Sequence, residues 1–215
     1  MKPISFDRNK HAYKSVAFVE LVKDAIRFFN GTPIHPLPPS EVFMGAGVYA
    51  LYYTGQNHFY QKYSELNRLA YNYPIYVGKA VPKGWRQTRL SDNALKQSRE
   101  LQNRLKEHDR SIQLGSGLLA EEFMCRFVIF EDESSDMIGT VEAALIKLNQ
   151  PLWNVVLDGF GNHDPGQGRY EQAKSDWDVM RPGRPWAGRC NGVSRSEVSI
   201  VSKIEEHLQK MGGQQ

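Results

Sequence analysis

Only two of the 215 residues are cysteine, Cys125 and Cys190, and neither belongs to a Cys-x-x-Cys pair. A disulfide framework or a structural zinc site is therefore not expected. No stretch approaches the roughly 20 consecutive apolar residues that a membrane span needs, and mean hydropathy is −0.53. The first fifteen residues, MKPISFDRNKHAYKS, are polar and hold no apolar signal core, so export by that route is not expected. There is no His-Glu-x-x-His, no clustered His/Cys set, no nucleophile elbow, no internal repeat and no low-complexity tract. The chain is expected to be a reduced, cytoplasmic, globular protein without membrane association, built as one domain with extensions or as two small ones.

What is present is an uneven charge map. Net charge is only +3, yet residues 79–110 carry nine Lys or Arg against four acids. Residues 121–142 carry seven acids against Arg126 alone, and residues 169–195 return to six bases against three acids. Two basic stretches around an acidic one fit a polyanion-binding surface beside an acidic, metal-competent element. A set of solvated helix faces would produce the same map.

The hydrophobic pattern predicts the order α, β, β, α, β, α, followed by a loop-rich extension. Residues 15–30 place Val16, Val19, Val22, Ile26 and Phe29 on one helical face, an N-terminal arm within residues 1–44. Pro33, Pro36, Pro38 and Pro39 then form an extended linker. GAGVYALYY (45–53), PIYVGKA (74–80) and FMCRFVIF (123–130) read as strands. Residues 91–108, capped by Ser91, and residues 134–150, stopped at Pro151, read as helices. The polar, Tyr-rich run between the first two strands reads as a long excursion. Beyond residue 155 the chain is Gly- and Pro-rich with little periodicity until a final amphipathic helix over 197–211.

Several chemical motifs fail on context. Gly45-Ala46-Gly47-Val48-Tyr49-Ala50 matches a loose dinucleotide fingerprint, but its glycines precede a strand instead of following one. Asn162-His163-Asp164 reads as a structured loop ahead of a metal-binding loop. There is no Pro-Asp dipeptide, and no acid has a lysine two residues after it. That argues against the common restriction-enzyme core. What remains is Tyr49, Tyr76, Arg104, His108 and Glu142. Arg104 and His108 are four apart on a helix and share a face. Glu142 is a carboxylate inside the apolar run 141–148, where burial is costly. Each alone has a structural explanation; the joint pattern is harder to dismiss.

In this order the residues resemble the GIY-YIG nuclease family. Gly47-Val48-Tyr49 is similar to its first motif and Tyr76-Val77-Gly78 to its second. Arg104, Glu142, and Pro151 with Asn154 match the remaining marks over residues 45–155. Valine replaces isoleucine in both motifs, and residues 53–72 and 80–95 would be insertions. The resemblance implies an α+β fold, a three-stranded antiparallel sheet flanked by helices, with residues 156–215 a DNA-contacting extension. Insertions and tail look like a small type II restriction endonuclease of this family, of the kind that cuts CCGCGG. That implies double-stranded DNA as substrate, a homodimer on a palindrome, and a companion DNA methyltransferase. A structure-specific repair or mobile-element nuclease, and a DNA-binding protein without catalysis, are the alternatives.

The expected roles follow from chemistry. Phosphodiester hydrolysis needs an activated water and charge neutralisation at phosphate. Glu142, a single carboxylate, suits one Mg2+ per active site, with Mn2+ able to substitute. Arg104 would grip phosphate oxygens with its planar fork. Tyr49 is a candidate base or water-orienting group, helped if Arg104 and a metal lower its pKa. His108, with an ordinary pKa of about 6.5, is the other candidate. Tyr76 would bind the water or the phosphate, and Asn154 would fix the helix end. Lys79 is a candidate phosphate contact. Arg86, Arg89, Arg169, Arg181, Arg184, Arg189 and Arg195 are candidates for guanine edges or phosphates, the two classes undivided.

Overall fold

The structure, a computed structural model, describes residues 6–85 and 96–212. Arg86, Arg89 and the expected cap Ser91 lie outside the described residues. The first helix, α1 (Val16–Gly31), begins where Ser15 Oγ accepts from the Phe18 amide at 3.1 Å. Val22, Ile26 and Phe29 turn inward as the spacing predicts. Val16 and Val19 do not: they are 81% and 48% exposed. Only the C-terminal half of the helix reaches the body, so its inward stripe ends near Val22.

The proline stretch contributes a strand instead of serving only as a linker. His35–Pro36 (β1) pairs antiparallel with a later strand, at a sheet edge where proline's missing N–H is harmless. Next come β2 (Gly47–Tyr53), α2 (Gln61–Asn67), β3 (Tyr76–Ala80), α3 (Glu100–Leu114) and β4 (Phe123–Ile129). The sheet order is β1-β4-β2-β3, antiparallel throughout, so the expected three-stranded core carries a fourth, two-residue edge strand. The expected helix start at residue 91 lies outside the described residues; α3 as described ends at Leu114, six residues beyond the expected end.

Every residue of β2 is buried, because both sheet faces are covered. Val48, Ala50 and Tyr52 pack with Phe29 of α1 and with Ile138, Val141 and Leu145 of α4 (Ile138–Asn149). Tyr49, Leu51 and Tyr53 pack on the other face with Leu101, Leu105 and Ile112 of α3. The Tyr-rich excursion is not a solvated loop. It forms a 3-10 turn and α2, buries Tyr60 and Tyr63, and is closed by Asn67, whose side chain bonds both backbone groups of Tyr73. Gln150 adopts a left-handed conformation that ends α4, and α5 (Leu152–Val155) follows directly.

The extension holds α6 (Asp176–Met180) and α7 (Glu197–Gly212). Its Leu157, Phe160, Trp177, Met180, Ile200 and Ile204 belong to the same apolar cluster as Tyr49. The last third of the chain is thus built into the core that carries the motif residues. No helix among the described residues is long and apolar enough to cross a membrane. Both cysteines are buried and unpaired.

Candidate active site

Antiparallel register places Tyr49 of β2 directly opposite Gly78 of β3. A Cβ at position 78 would collide with the Tyr49 hydroxyl, so the second motif ends in glycine to admit that ring. Tyr49 is fully buried and its hydroxyl lies 2.6 Å from His108 Nε2. Tyr76, the more exposed of the two tyrosines, packs beside both rings, 6.2 Å from Tyr49 and 5.2 Å from His108 between centroids.

Arg104, one helical turn before His108, is mostly buried, with both terminal nitrogens engaged. Its Nη1 donates to Glu107 Oε2 at 2.9 Å and to His163 Nε2 at 2.7 Å. Its Nη2 donates to the Gly161 carbonyl at 2.5 Å. The sheet's other face supplies the remaining pair: Lys79 of β3 forms a close ion pair with Glu142 of α4. The Glu142 charge is among the lesser influences that raise both tyrosine hydroxyls. Tyr49, Tyr76, Arg104 and His108 come together on one face of the sheet, and Glu142 stands with Lys79 on the other. Lys79 contacts a carboxylate here rather than standing open to solvent.

Asn154, expected to fix the helix end, bonds the edge of β3 instead. β3 is the sheet's last strand, and Val77 turns its N–H and C=O away from β2. Asn154 Oδ1 accepts from that N–H and Nδ2 donates to that carbonyl, both at 2.8 Å. Trp153 N adds a 2.9 Å bond to the Ile75 carbonyl, so α5 caps the open edge.

The electrostatics correct one expectation. Burial, then the neighbouring Tyr76, pushes the Tyr49 hydroxyl well above its usual pKa; Arg104 opposes this without reversing it. Burial also drives His108 well below 6.5, reinforced by Arg104, His163 and Arg184. A resting tyrosinate is thereby excluded. The pair is neutral, with a hydroxyl beside an imidazole that carries no charge to repel a proton.

The residues fit one hard divalent cation. Glu142 is a half-buried carboxylate already facing a positive charge, the Lys79 ammonium. Among the described residues no group of three or more His, Cys, Asp or Glu side chains is placed to hold a metal ion. A magnesium ion completed by phosphate and water needs only one or two protein carboxylates.

The extension's arginines divide sharply. Arg184, expected at the DNA, is 3% exposed. It binds both oxygens of Asp178 at 2.7 Å, donates to the carbonyls of Gly159, Phe160 and Asn162, and lies between the Trp177 and Trp186 rings, 4.6 Å from each. Arg181, 5% exposed, is also interior: it donates to Tyr60, Asn57 and the Ser116 carbonyl, fastening the extension to the excursion. A buried, fully bonded guanidinium cannot reach a groove, so both are structural. Arg169 is exposed, Arg189 pairs with Asp164 over the Tyr170 ring, and Arg195 pairs with buried Asp176.

Residues that sequence reasoning passed over complete the centre. The Phe160 ring stacks on His108 at 4.5 Å and 18°. Gly161 lets the loop approach Tyr76 and Arg104, where a side chain would strike the Tyr76 hydroxyl. Only the NHD run marked this loop in sequence. A recess of about 210 Å³ opens here, lined by Arg104, His108, Arg110, Ser111 and His163. A larger recess, about 610 Å³, lies among Asp158, Lys174, Asp176 and Arg195, and none of the motif residues lines it.

A family model described as the Eco29kI GIY-YIG domain matches residues 41–208. No curated protein matches the chain.

Proposed function

The chain belongs to the Eco29kI GIY-YIG family of DNA nucleases, and from that premise we propose that it is a type II restriction endonuclease. It hydrolyses phosphodiester bonds of double-stranded DNA at a short palindrome, CCGCGG in our reading. The 2.6 Å contact between the buried Tyr49 hydroxyl and His108 Nε2 carries the mechanism.

Tyr49 acts as a relay. A free tyrosine with pKa about 10 is ionised in roughly one molecule in a thousand at pH 7. The raised pKa makes that fraction smaller still. The hydroxyl takes a proton from the attacking water only as it passes its own to His108 Nε2. His108, held neutral by its depressed pKa, is free to accept. The water oxygen forms its bond to phosphorus, the bond to the leaving sugar oxygen breaks, and that oxygen takes a proton from solvent. Tyr76 orients the water. Arg104 grips the phosphate through its fork, and Lys79 adds positive charge at the edge of β3. Mg2+, with Mn2+ able to substitute, would be held by Glu142, one ion per site, and would neutralise charge developing on the phosphate.

A palindrome is read by two copies, so the active species is a homodimer with one centre per strand. A DNA methyltransferase of the same specificity protects the host, and both act in the cytoplasm. Arg86, Arg89, Arg169, Arg189 and Arg195 are the remaining candidates for guanine or phosphate contact. The test is incubation with plasmid DNA in Mg2+ or EDTA, with sequencing of product ends. Fragments that share one end sequence and form only with Mg2+ support the reading. Random nicking, or binding without cleavage, refutes it.

A further inference from the structure

The loop 159–163 belongs to the extension, not to the motif-bearing core, yet it supplies three contacts to the candidate centre. Its backbone is held rigidly, because buried Arg184 takes the carbonyls of Gly159, Phe160 and Asn162. From that fixed backbone come the Phe160 ring on His108, the Gly161 carbonyl on Arg104 Nη2, and the His163 ring on Arg104 Nη1. Arginine only donates. Arg104 Nη1 lies 2.7 Å from Nε2 and 3.4 Å from Nδ1 of His163, so the ring takes this contact only while neutral, with Nδ1 3.9 Å from Glu107 Oε2.

We propose that His163 is a positioning residue of the hydrolysis, a neutral acceptor that holds the Arg104 guanidinium aimed at the scissile phosphate. The Gly161 carbonyl fixes one arm of the fork and His163 the other. Glu107, about half exposed, occupies the anion position on the same guanidinium. When DNA enters, a phosphate oxygen replaces the Glu107 carboxylate, one anion for another, while His163 and Gly161 keep their bonds. Arg104 then meets the phosphate without a search over its rotamers. Such preorganisation appears in turnover more than in affinity.

The proposal rests on the nuclease reading, and its test separates the two. Facing His163 are Arg104, Glu107 and Arg110 from α3, and Arg184 and Asp164 from the extension. Burial and Arg104 lower its pKa while Glu107 opposes them, so the neutral acceptor form prevails above pH 6.5. Three chains are compared, wild type, His163→Ala and His163→Gln, with CCGCGG duplexes in Mg2+. His163→Ala should lower kcat about 10- to 100-fold, the scale of a catalytic group misplaced by about 1 Å. Its Kd for DNA should stay within a few-fold of wild type. His163→Gln keeps an acceptor oxygen and should recover most of kcat. It should also lack the part of the acid limb, below pH 6.5, that His163 imposes on the wild type. A 15N-NMR spectrum of the uncleaving protein in EDTA should show a neutral imidazole at His163 above pH 6.5. A charged imidazolium there overturns the contact itself, whatever the enzyme does. Unchanged kcat in His163→Ala, with the wild type cleaving, overturns the positioning role alone. Absence of wild-type cleavage with the neutral ring present overturns the nuclease reading, and the catalytic role with it.

Discussion

Replacing Asn154 with alanine should loosen the strand that carries the second motif. Asn154 satisfies both the N–H and the carbonyl of Val77, a residue 1% exposed to solvent. Water cannot replace either bond without opening the β3 edge. Each buried polar group left unmet costs about 1–3 kcal/mol, so the pair amounts to about 2–6 kcal/mol, with about 3 as a working value. In a chain of 150–250 residues, 1 kcal/mol moves Tm by about 2–4 °C, so Tm should fall by about 6–12 °C. Asn154→Asp keeps the acceptor but sets a carboxylate against the Val77 carbonyl, and should do no better than alanine. The assay is urea unfolding followed by circular dichroism, with a common m-value. A loss below about 1 kcal/mol for Asn154→Ala, with m unchanged, would refute the argument. It would mean that water already reaches the edge.

Four further outcomes follow from the same geometry. Glu142→Ala should abolish Mg2+-dependent cleavage yet leave DNA affinity equal or better in a filter-binding assay, because it removes negative charge near phosphate; normal cleavage would disprove the metal assignment. Gly78→Ala drives a methyl group into the Tyr49 hydroxyl and should lower kcat about 100-fold, the scale of a 1 Å displacement, while costing about 1–3 kcal/mol of stability from overpacking. Arg184→Met strands the buried Asp178 carboxylate and should destabilise by about 3–5 kcal/mol, with partial recovery in Arg184→Met/Asp178→Leu. Buried neutral His108 resists protonation while the unfolded chain accepts a proton near pH 6.5. Stability is therefore full above pH 6.5 and falls as pH drops below it, by up to about 1.4 kcal/mol per pH unit; His108→Gln should flatten that slope in urea titrations from pH 7 to 5.

The grouping of Tyr49, Tyr76, Arg104 and His108 was legible because its signals are local. A glycine beside a strand tyrosine, an Arg and His four apart, and a lone carboxylate in an apolar helix each announce themselves within one element. Strands β2, β3 and β4 and the final helix were legible for the same reason, whereas β1 hid in a proline stretch that reads as a linker. The fate of Arg181 and Arg184 was not. Their charge is visible in sequence, but the carbonyls that absorb it are not, since any residue supplies a carbonyl. The one available sign was the aromatic company Arg184 keeps, Trp177 and Trp186, which flank it closely enough to sandwich a guanidinium. The excursion misled in a parallel way. Tyr60 and Tyr63 looked like polar-loop residues, and only the packing of α2 on β2 makes them core. His163 was set aside because its turn-rich surroundings read as a structured loop, and its partner, Arg104, lies 59 residues away.

The dependence of Arg104 and His108 on the loop at 159–163 has a bearing on how the chain is made. Synthesis runs from the N-terminus, and domains tend to fold in that order. A nascent chain that has emerged only as far as Val155 already holds Tyr49, Tyr76, Arg104, His108, Glu142 and Asn154. It has neither the ring that stacks on His108 nor the Gly161 and His163 acceptors of Arg104. A prematurely terminated product would carry every motif residue with its arginine held by Glu107 alone. For an activity aimed at DNA, this delays full assembly until the final third of the polypeptide has left the ribosome, and ties competence to an intact message.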